Sequence, residues 1–529
     1  MAQEDNPDIS QPVSELAELD EAKRAALDEH RADAVAKQHA LGKLTARERL
    51  DLLVDRGTFL EYGMLAGSPV QLPKPTPADG VITGIGKVDG RDVAIAIYDF
   101  TVYGGSQGQV SHRKIDRVQR LAIDNGIPMV YLCDGGGARA QELGRHGGGM
   151  SSDGGGTFVN IALMSGWVPT VCAIMGPCFA GHANISSCCD YVPMLKGVGS
   201  MGMAGPPLIR ASMGIEVTKE ELGGSAIHCA ITGMGDYEAH DERDLIASIK
   251  EFLSYLPSNA GFAAPIVTTR DPDDRRDAGL ATIVPESARR AYDMLELIAM
   301  VVDDGRILEK KPEYAPNLIT AFARLGGHTV GIIANNPLHL AGILDTPASD
   351  KMSHFINLCD AFSIPLVFLV DVPGFVGSVD AERTGLIRHS GKVLYEMAHA
   401  TVPMFTVVVR KAYGLGYYVM GSRPYRPNLI VAWPTAEFGG MGLEGAVEIM
   451  YPNELAKARD SVERERIRAE LTEELRRLHT ARRTARGYGV DDVIDPRDTR
   501  PVLIRAIRTM AEKMRPMGMP HKKRGITPW

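Results

Sequence analysis

Cys172-Ala-Ile-Met-Gly-Pro-Cys-Phe-Ala-Gly-His182 closes an apolar run that begins at Val168. The run reads as a buried strand ending in Gly176-Pro177, then a tight Ala180-Gly181 turn whose backbone N–H groups are left free. The pattern returns 234 positions on, in Val402-Pro-Met-Phe-Thr-Val-Val-Val-Arg-Lys-Ala-Tyr-Gly-Leu-Gly416. Two N–H groups aimed at one point stabilise a developing enolate or tetrahedral oxygen. The two turns therefore predict a pair of oxyanion-binding sites presented by two copies of one fold.

Working outward, the strands around the first turn are continuous apolar runs that alternate with helices. Val81–Val88 and Val93–Tyr98 flank an Asp89-Gly90 turn signal. A glycine loop, Thr101-Val-Tyr-Gly-Gly-Ser-Gln-Gly108, leads into a helix over about 110–125. Ile127-Pro-Met-Val-Tyr-Leu-Cys ends in Asp134-Gly-Gly-Gly-Ala-Arg139. Such runs indicate a sheet buried on both faces, an α/β fold with its ligands at strand ends. The second half repeats the order. Ala321–Asn336 echoes the Ile82–Ile97 region, and Ile364-Pro-Leu-Val-Phe-Leu-Val-Asp371 echoes Ile127–Asp134 at an offset of 237. Duplication predicts pseudo-twofold equivalence, with one turn from each half facing a shared cleft, within a subunit or across a dimer.

Upstream, Val13–His39 reads as one surface helix, and Thr45-Ala-Arg-Glu48 as a capping box opening a second. The Pro/Asp-rich stretch Pro272–Arg276 is the linker candidate. The expected organisation is an arm over 1–40 and two domains over 41–270 and 271–529.

Bulk properties exclude several functions. The chain has 529 residues, 44% hydrophobic and 23% charged, with net charge −8 and no basic block, so nucleic acid finds no electrostatic partner. No apolar stretch reaches the roughly 18 residues of a membrane span. The seven cysteines form no CxxC pair and no zinc-spaced set with histidine. They read as reduced, buried thiols in a cytoplasmic protein, and no metal is expected.

Side-chain catalysts are scarce. There is no GxSxG elbow and no Walker motif. Cys178 reads as a core thiol. His182 beside the turn reads first as a hydrogen-bonder. Glu142 reads as a helix-capping carboxylate or, alternatively, as the general base of a hydratase. Asp134 and Asp371 close strands and brace the loops that follow. Two oxyanion turns without an evident base point to a substrate that brings its own.

In order along the chain stand Lys43-Leu-Thr-Ala-Arg-Glu-Arg49, Asp99-Phe-Thr-Val-Tyr-Gly-Gly-Ser106, Gly136-Gly-Ala-Arg139, Glu220-Glu-Leu-Gly-Gly224, Asp371-Val-Pro-Gly-Phe375, Arg388-His389, Arg410-Lys-Ala-Tyr-Gly414 and Trp433-Pro-Thr-Ala-Glu437. With these landmarks, from about Gly42 to Trp529, the chain resembles the carboxyltransferase (β) subunit of biotin-dependent acyl-CoA carboxylases. The resemblance implies two tandem crotonase-like domains and a dimer-interface active site in a trimer-of-dimers hexamer. It implies carboxyl transfer from N-carboxybiotin to the α (or vinylogous γ) carbon of an acyl-CoA, the biotin ureido oxygen taking the proton. The thioester site maps onto Ala180 and Gly181, and the biotin site onto Leu415 and Gly416. Gly136, Gly137, Ala138, Arg139, Phe179, His182 and Tyr418 fall in the implied substrate pocket. No biotin carboxylase or biotin-carrier segment is recognised, so the resemblance also implies an α-subunit partner that carries them.

The departures from the family pattern lie at the turns. Ala180-Gly181 replaces Gly-Gly, Phe179 is bulkier than its usual counterpart, and Gly-Leu-Gly-Tyr-Tyr418 replaces Gly-Gly-Ala-Tyr-Asp. Tyr418 falls where relatives tune acyl-chain choice, and the glycine-rich segment Gly144–Gly156 is unlike the commonest members. The rival readings are a crotonase-type enoyl-CoA hydratase or isomerase using Glu142, a biotin-dependent acyl-CoA decarboxylase subunit, and a non-catalytic assembly subunit.

Overall fold

Asp89 and Gly90, and 237 positions later Gly326 and Gly327, all have positive φ (48°, 80°, 58° and 82°). This left-handed pair is what a two-residue hairpin turn requires, and each closes the hairpin that starts one sheet. The computed structural model describes residues 10–142, 156–287, 290–509 and 526. The glycine-rich stretch from Gly144 to residue 155 lies outside them. The chain divides into two compact units, Met1–Leu253 and Ser254–Trp529.

The first unit holds β1 (Leu60–Glu61), β2 (Val81–Val88), β3 (Arg91–Tyr98), β4 (Met129–Gly135), β5 (Thr170–Phe179), β6 (Pro193–Leu195), β7 (Ser200–Gly202) and β8 (Tyr237–Ala239). Their order is β1-β2-β3-β4-β5-β6-β8, with β7 beside β5. The pairs β1–β2 and β2–β3 are antiparallel, and every later pair is parallel. The second unit holds β9 (Ile307–Glu309), β10 (Leu318–Leu325), β11 (His328–Asn335), β12 (Leu366–Val372), β13 (Met404–Tyr413), β14 (Leu429–Ala432), β15 (Glu437–Gly439) and β16 (Asp492–Val493). Its order, β9-β10-β11-β12-β13-β14-β16 with β15 beside β13, is the same topology.

The duplication extends to details that composition cannot show. The β4/β5 register slips between Cys133 and Gly135, and the β12/β13 register between Val370 and Val372. Tyr103, Gly104 and Gly105 all have positive φ, as do Leu340, Ala341 and Gly342, each 237 positions on. Each unit also buries a lysine ammonium on carbonyl oxygens. Lys114 Nζ donates to Ala78 O at 2.7 Å, and Lys351 Nζ donates to Lys311 O at 2.7 Å and Tyr314 O at 2.9 Å.

Two sequence expectations need correction. The arm is not one helix but two, Ser10–Arg24 and Ala32–Ala40, separated by a single 3-10 turn at Asp28–His30. The break has a cause. Arg31 turns its guanidinium to Asp99 (2.8 Å) and Thr101, and Asp28 accepts the Thr45 hydroxyl. The Thr45–Glu48 capping box itself is present. Secondly, Pro272–Arg276 is tied into the second unit. Arg275 binds Asp271 (2.7 Å) and the carbonyl oxygens of Met300 and Val302, while Arg500 donates to Pro272 O. Ile266 bridges to His328 as well, which places residues just before the stretch with the second sheet.

Candidate active-site turns

In the first unit β5 delivers Ala180 at φ 57° and ψ −122°, followed by the short helix Gly181–Ser186. Ala180 N–H is not free. It donates to Gly202 O on β7 at 3.0 Å, which corrects the expectation of two open donors on this dipeptide. Gly181 N–H lies in the first helical turn, where no intrahelical acceptor exists. A second donor comes from the loop after β4. Gln107 N–H donates to Gly137 O (2.8 Å) and Arg139 N–H donates to Gln107 O (2.7 Å). This parallel bridge turns the N–H of the intervening Ala138 away from Gln107. Gly137, at φ 78°, packs on the turn, and a Cβ there would lie 3.5 Å from Phe179 O and 3.6 Å from Ala180 Cβ. Gly136 and Ala138 are exposed and Gly181 is half-exposed, so the junction of loop and turn is open.

Ala180 occupies backbone space that only glycine enters without strain. Such strain costs of order 1–3 kcal/mol, against which glycine loses about 0.5–1 kcal/mol in chain entropy. Ala180→Gly is therefore expected to raise stability by about 1 kcal/mol, read as a higher denaturation midpoint. An unchanged or lower midpoint would show that the turn is not strained.

The second unit repeats the arrangement. Gly414 (φ 54°) opens the helix Gly414–Val419. Leu344 N–H donates to Gly374 O (3.0 Å) and Val376 N–H donates to Leu344 O (2.8 Å), turning the N–H of Phe375 outward as for Ala138. Equivalent positions are 234 apart. Ala180 matches Gly414, Gly181 matches Leu415, and His182 matches Gly416. Burial agrees, because Leu415 is 47% exposed whereas His182 and Gly416 are buried. The expected match of Ala180-Gly181 to Leu415-Gly416 is thus one residue out of step. The open first-turn donors are Gly181 and Leu415.

Beneath the loops sit two buried carboxylates with different partners. Asp134 is fully buried and binds Lys43 Nζ (2.6 Å) and Arg49 Nη1 (2.8 Å), and Arg49 also chelates Glu242 (2.7 and 2.8 Å). Burial pulls the Lys43 pKa below its ordinary value despite Asp134. Desolvation opposes the Arg49 charge too, yet Glu242 and Asp134 outweigh it and raise that pKa. Asp371 instead takes its cations from β13, with Arg410 Nε 3.0 Å and Lys411 Nζ 3.1 Å away, and it also accepts Lys411 N–H at 3.0 Å. Lys43, Arg49 and Glu242 were not singled out as functional from the sequence. The signal was three cations around a capping box in Lys43–Arg49.

The remaining candidates separate clearly. Arg139 faces inward. Its guanidinium is buried, bound to Asp79 and to Glu142 (2.7 Å), and so braces the loop instead of offering charge to a ligand. Glu142 is committed as well, since it accepts Gln109 N–H at the start of the helix Gln109–Asn125 (3.2 Å). Burial works the other way, but hydrogen bonds from Ser68, Arg139 and Gln109 hold its carboxyl below the usual range. Phe179 is buried against Gly202 and Gly205. Tyr418 is 40% exposed and meets Tyr425 edge-on at 5.3 Å. Phe158, which sequence reading passed over, lies 3.2 Å from where a Gly181 Cβ would be. Burial, and then His182 nearby, lowers His112 to about 4. Cys178 is a buried core thiol. Among the described residues, no His/Cys/Asp/Glu group suits a metal and no helix is long and apolar enough to cross a membrane.

Two sheets of one topology, each ending in a turn and a glycine loop with outward N–H groups, define a duplicated crotonase-like fold. The family model of the carboxyl transferase domain matches residues 37–526. The chain belongs to this family, as a carboxyltransferase enzyme of the biotin-dependent acyl-CoA carboxylase group. It is 40% identical to the propionyl-CoA carboxylase beta chain of Saccharopolyspora erythraea, across 99% of this chain and 97% of that one. It is 42% identical to the methylmalonyl-CoA decarboxylase subunit alpha of Veillonella parvula, across 90% and 92%. Among solved structures it is similar to hexameric transcarboxylase 12S with methylmalonyl-coenzyme A and methylmalonic acid bound, at TM-score 0.88 and 39% identity over 99% of both chains.

Proposed function

We propose that this chain transfers CO2 from carboxybiotin, borne by a partner carrier protein, to the α-carbon of a short acyl-CoA of the propionyl class. The observation that carries the reading is the repeated pair of open N–H donors, Ala138 with Gly181 and Phe375 with Leu415. In the first unit the donors hold the thioester oxygen as it becomes an enolate. In the second they hold the ureido oxygen of biotin. Carboxybiotin supplies the CO2 and, once it has been released, the base that removes the α-proton. The chain's own part is to orient both oxygens and stabilise their charge, each donor contributing on the order of 3 kcal/mol. A hydratase would need a free carboxylate beside the first turn, and Glu142 is tied to Arg139 and a helix start. The partner is a biotin carboxylase/carrier subunit, the core a homohexamer built as a trimer of dimers, and the location cytoplasmic.

The similarity to a decarboxylase subunit keeps the reverse reaction as a second reading, because the same donors serve both directions. Purified protein given free biotin and methylmalonyl-CoA is expected to release CO2 slowly. With its biotinylated partner, ATP and bicarbonate it should carboxylate one or more members of an acyl-CoA panel. Inactivity throughout would overturn the proposal. Hydration of an enoyl-CoA without biotin would favour the hydratase.

A further inference from the structure

His182 stands one residue past the open donor of the first turn, yet its side chain is fully buried and cannot touch a substrate. Its Nδ1 lies 3.2 Å from Gly137 N and 3.3 Å from Phe179 O. One ring nitrogen cannot accept from the first and donate to the second. Gly137 N–H is buried, and its hydrogen points at Nδ1 in hydrogen-bond geometry. Nδ1 is therefore the acceptor, and the proton of the neutral ring sits on Nε2, for which no partner is found among the described residues. The ring is held edge-on to Tyr98, with centroids 4.5 Å apart. In the second unit the matching position is Gly416. There the backbone closes directly on the facing loop, and a Cβ would lie 2.7 Å from Gly374 Cα. Gly374 is the counterpart of Gly137. The imidazole thus spans in one unit a distance that backbone contact closes in the other.

We propose that His182 is a positioning residue for the first turn, its Nδ1 tying the Gly136–Ala138 loop to the helix Gly181–Ser186 and so setting the separation of the Ala138 and Gly181 donors. The role rests on the oxyanion reading above. Donors that act on charge growing in the transition state must be placed to within about 1 Å, and misplacement lowers kcat on the order of 10- to 100-fold.

With methylmalonyl-CoA and free biotin, His182→Ala is expected to lower kcat by about that factor with KM little changed. His182→Asn, which returns an acceptor on a short side chain, should recover most of the loss. Crystal structures should show the Gly136–Ala138 loop displaced in His182→Ala and restored in His182→Asn. Wild-type kcat in His182→Ala, an undisplaced loop, or an asparagine variant as impaired as alanine would overturn the proposal. If neither variant folds, 15N NMR of histidine-labelled wild-type protein decides, because an Nδ1–H tautomer at His182 is incompatible with the role. A wild type inert towards every acyl-CoA sinks the proposed function instead, while the loop position still tests the tie.

Discussion

Gly416→Ala is expected to lower carboxyl transfer by two to three orders of magnitude, the effect of losing one oxyanion donor. A Cβ at residue 416 would lie 2.7 Å from Gly374 Cα, 3.0 Å from Gly374 C and 2.9 Å from Val372 Cγ2. Two of those three atoms are backbone. They cannot rotate away as the end of a flexible side chain would. Gly374 holds φ 136°, closed to other residues, and its carbonyl oxygen accepts from Leu344 N–H at 3.0 Å. Relief therefore comes from moving the loop that carries Phe375 N–H, or the helix start that carries Leu415 N–H. Either motion spoils the donor pair. Gly445→Ala is the control, because nothing lies within 4 Å of its Cβ position and it sits in the helix Leu443–Met450. There alanine should be neutral or stabilising by up to about 1 kcal/mol. Turnover with the biotinylated partner, read beside the denaturation midpoint, separates lost geometry from lost fold. Gly416→Ala at wild-type turnover would remove the second turn from the mechanism.

The repeat was legible because it lies in features that a sequence displays directly: apolar strand cores, Ile-Pro strand starts and turn glycines. The register of the two turns was not. Glycine marks a turn in sequence, so Ala180-Gly181 was aligned with Leu415-Gly416. The structure aligns by backbone angle and burial, and there Ala180 does the work of Gly414. A strained alanine leaves no trace in composition. Arg139, which the resemblance puts in the substrate pocket, has a partner that the sequence does not display, for a related reason. A cation in a glycine loop looks available until its partner, Asp79, 60 positions upstream, is seen to hold it. Long-range pairs of this kind also broke the arm helix at Arg31 and hid the partners of Asp134.

Asp134 carries the largest expected loss of stability. Its carboxylate is fully buried against Lys43 and Arg49, themselves 7% and 1% exposed. Removing one partner of a buried ion pair leaves charge uncompensated, at a cost of about 3–5 kcal/mol. Asp134→Leu should show this loss in chemical denaturation. Lys43→Met added to it should restore part, since the two changes share one contact. The matching change in the second unit, Asp371→Leu, should be costly too, but with a different consequence for the arm. Asp371 draws its cations from Arg410 and Lys411 on the neighbouring strand. In the first unit the position matching Arg410 is Gly176, where even a Cβ would overlap Asp134 Oδ1. No cation fits there, and the charge must arrive from the segment Lys43–Arg49. The first glycine loop is therefore anchored through residues about 90 positions upstream, and the second is anchored locally. Limited proteolysis distinguishes the two. Asp134→Leu should open the chain to cleavage around residues 24–45 under conditions where Asp371→Leu does not. Equal cleavage in both variants would show that the arm is held by its other contacts, led by Arg31 on Asp99, and not by the carboxylate beneath the loop.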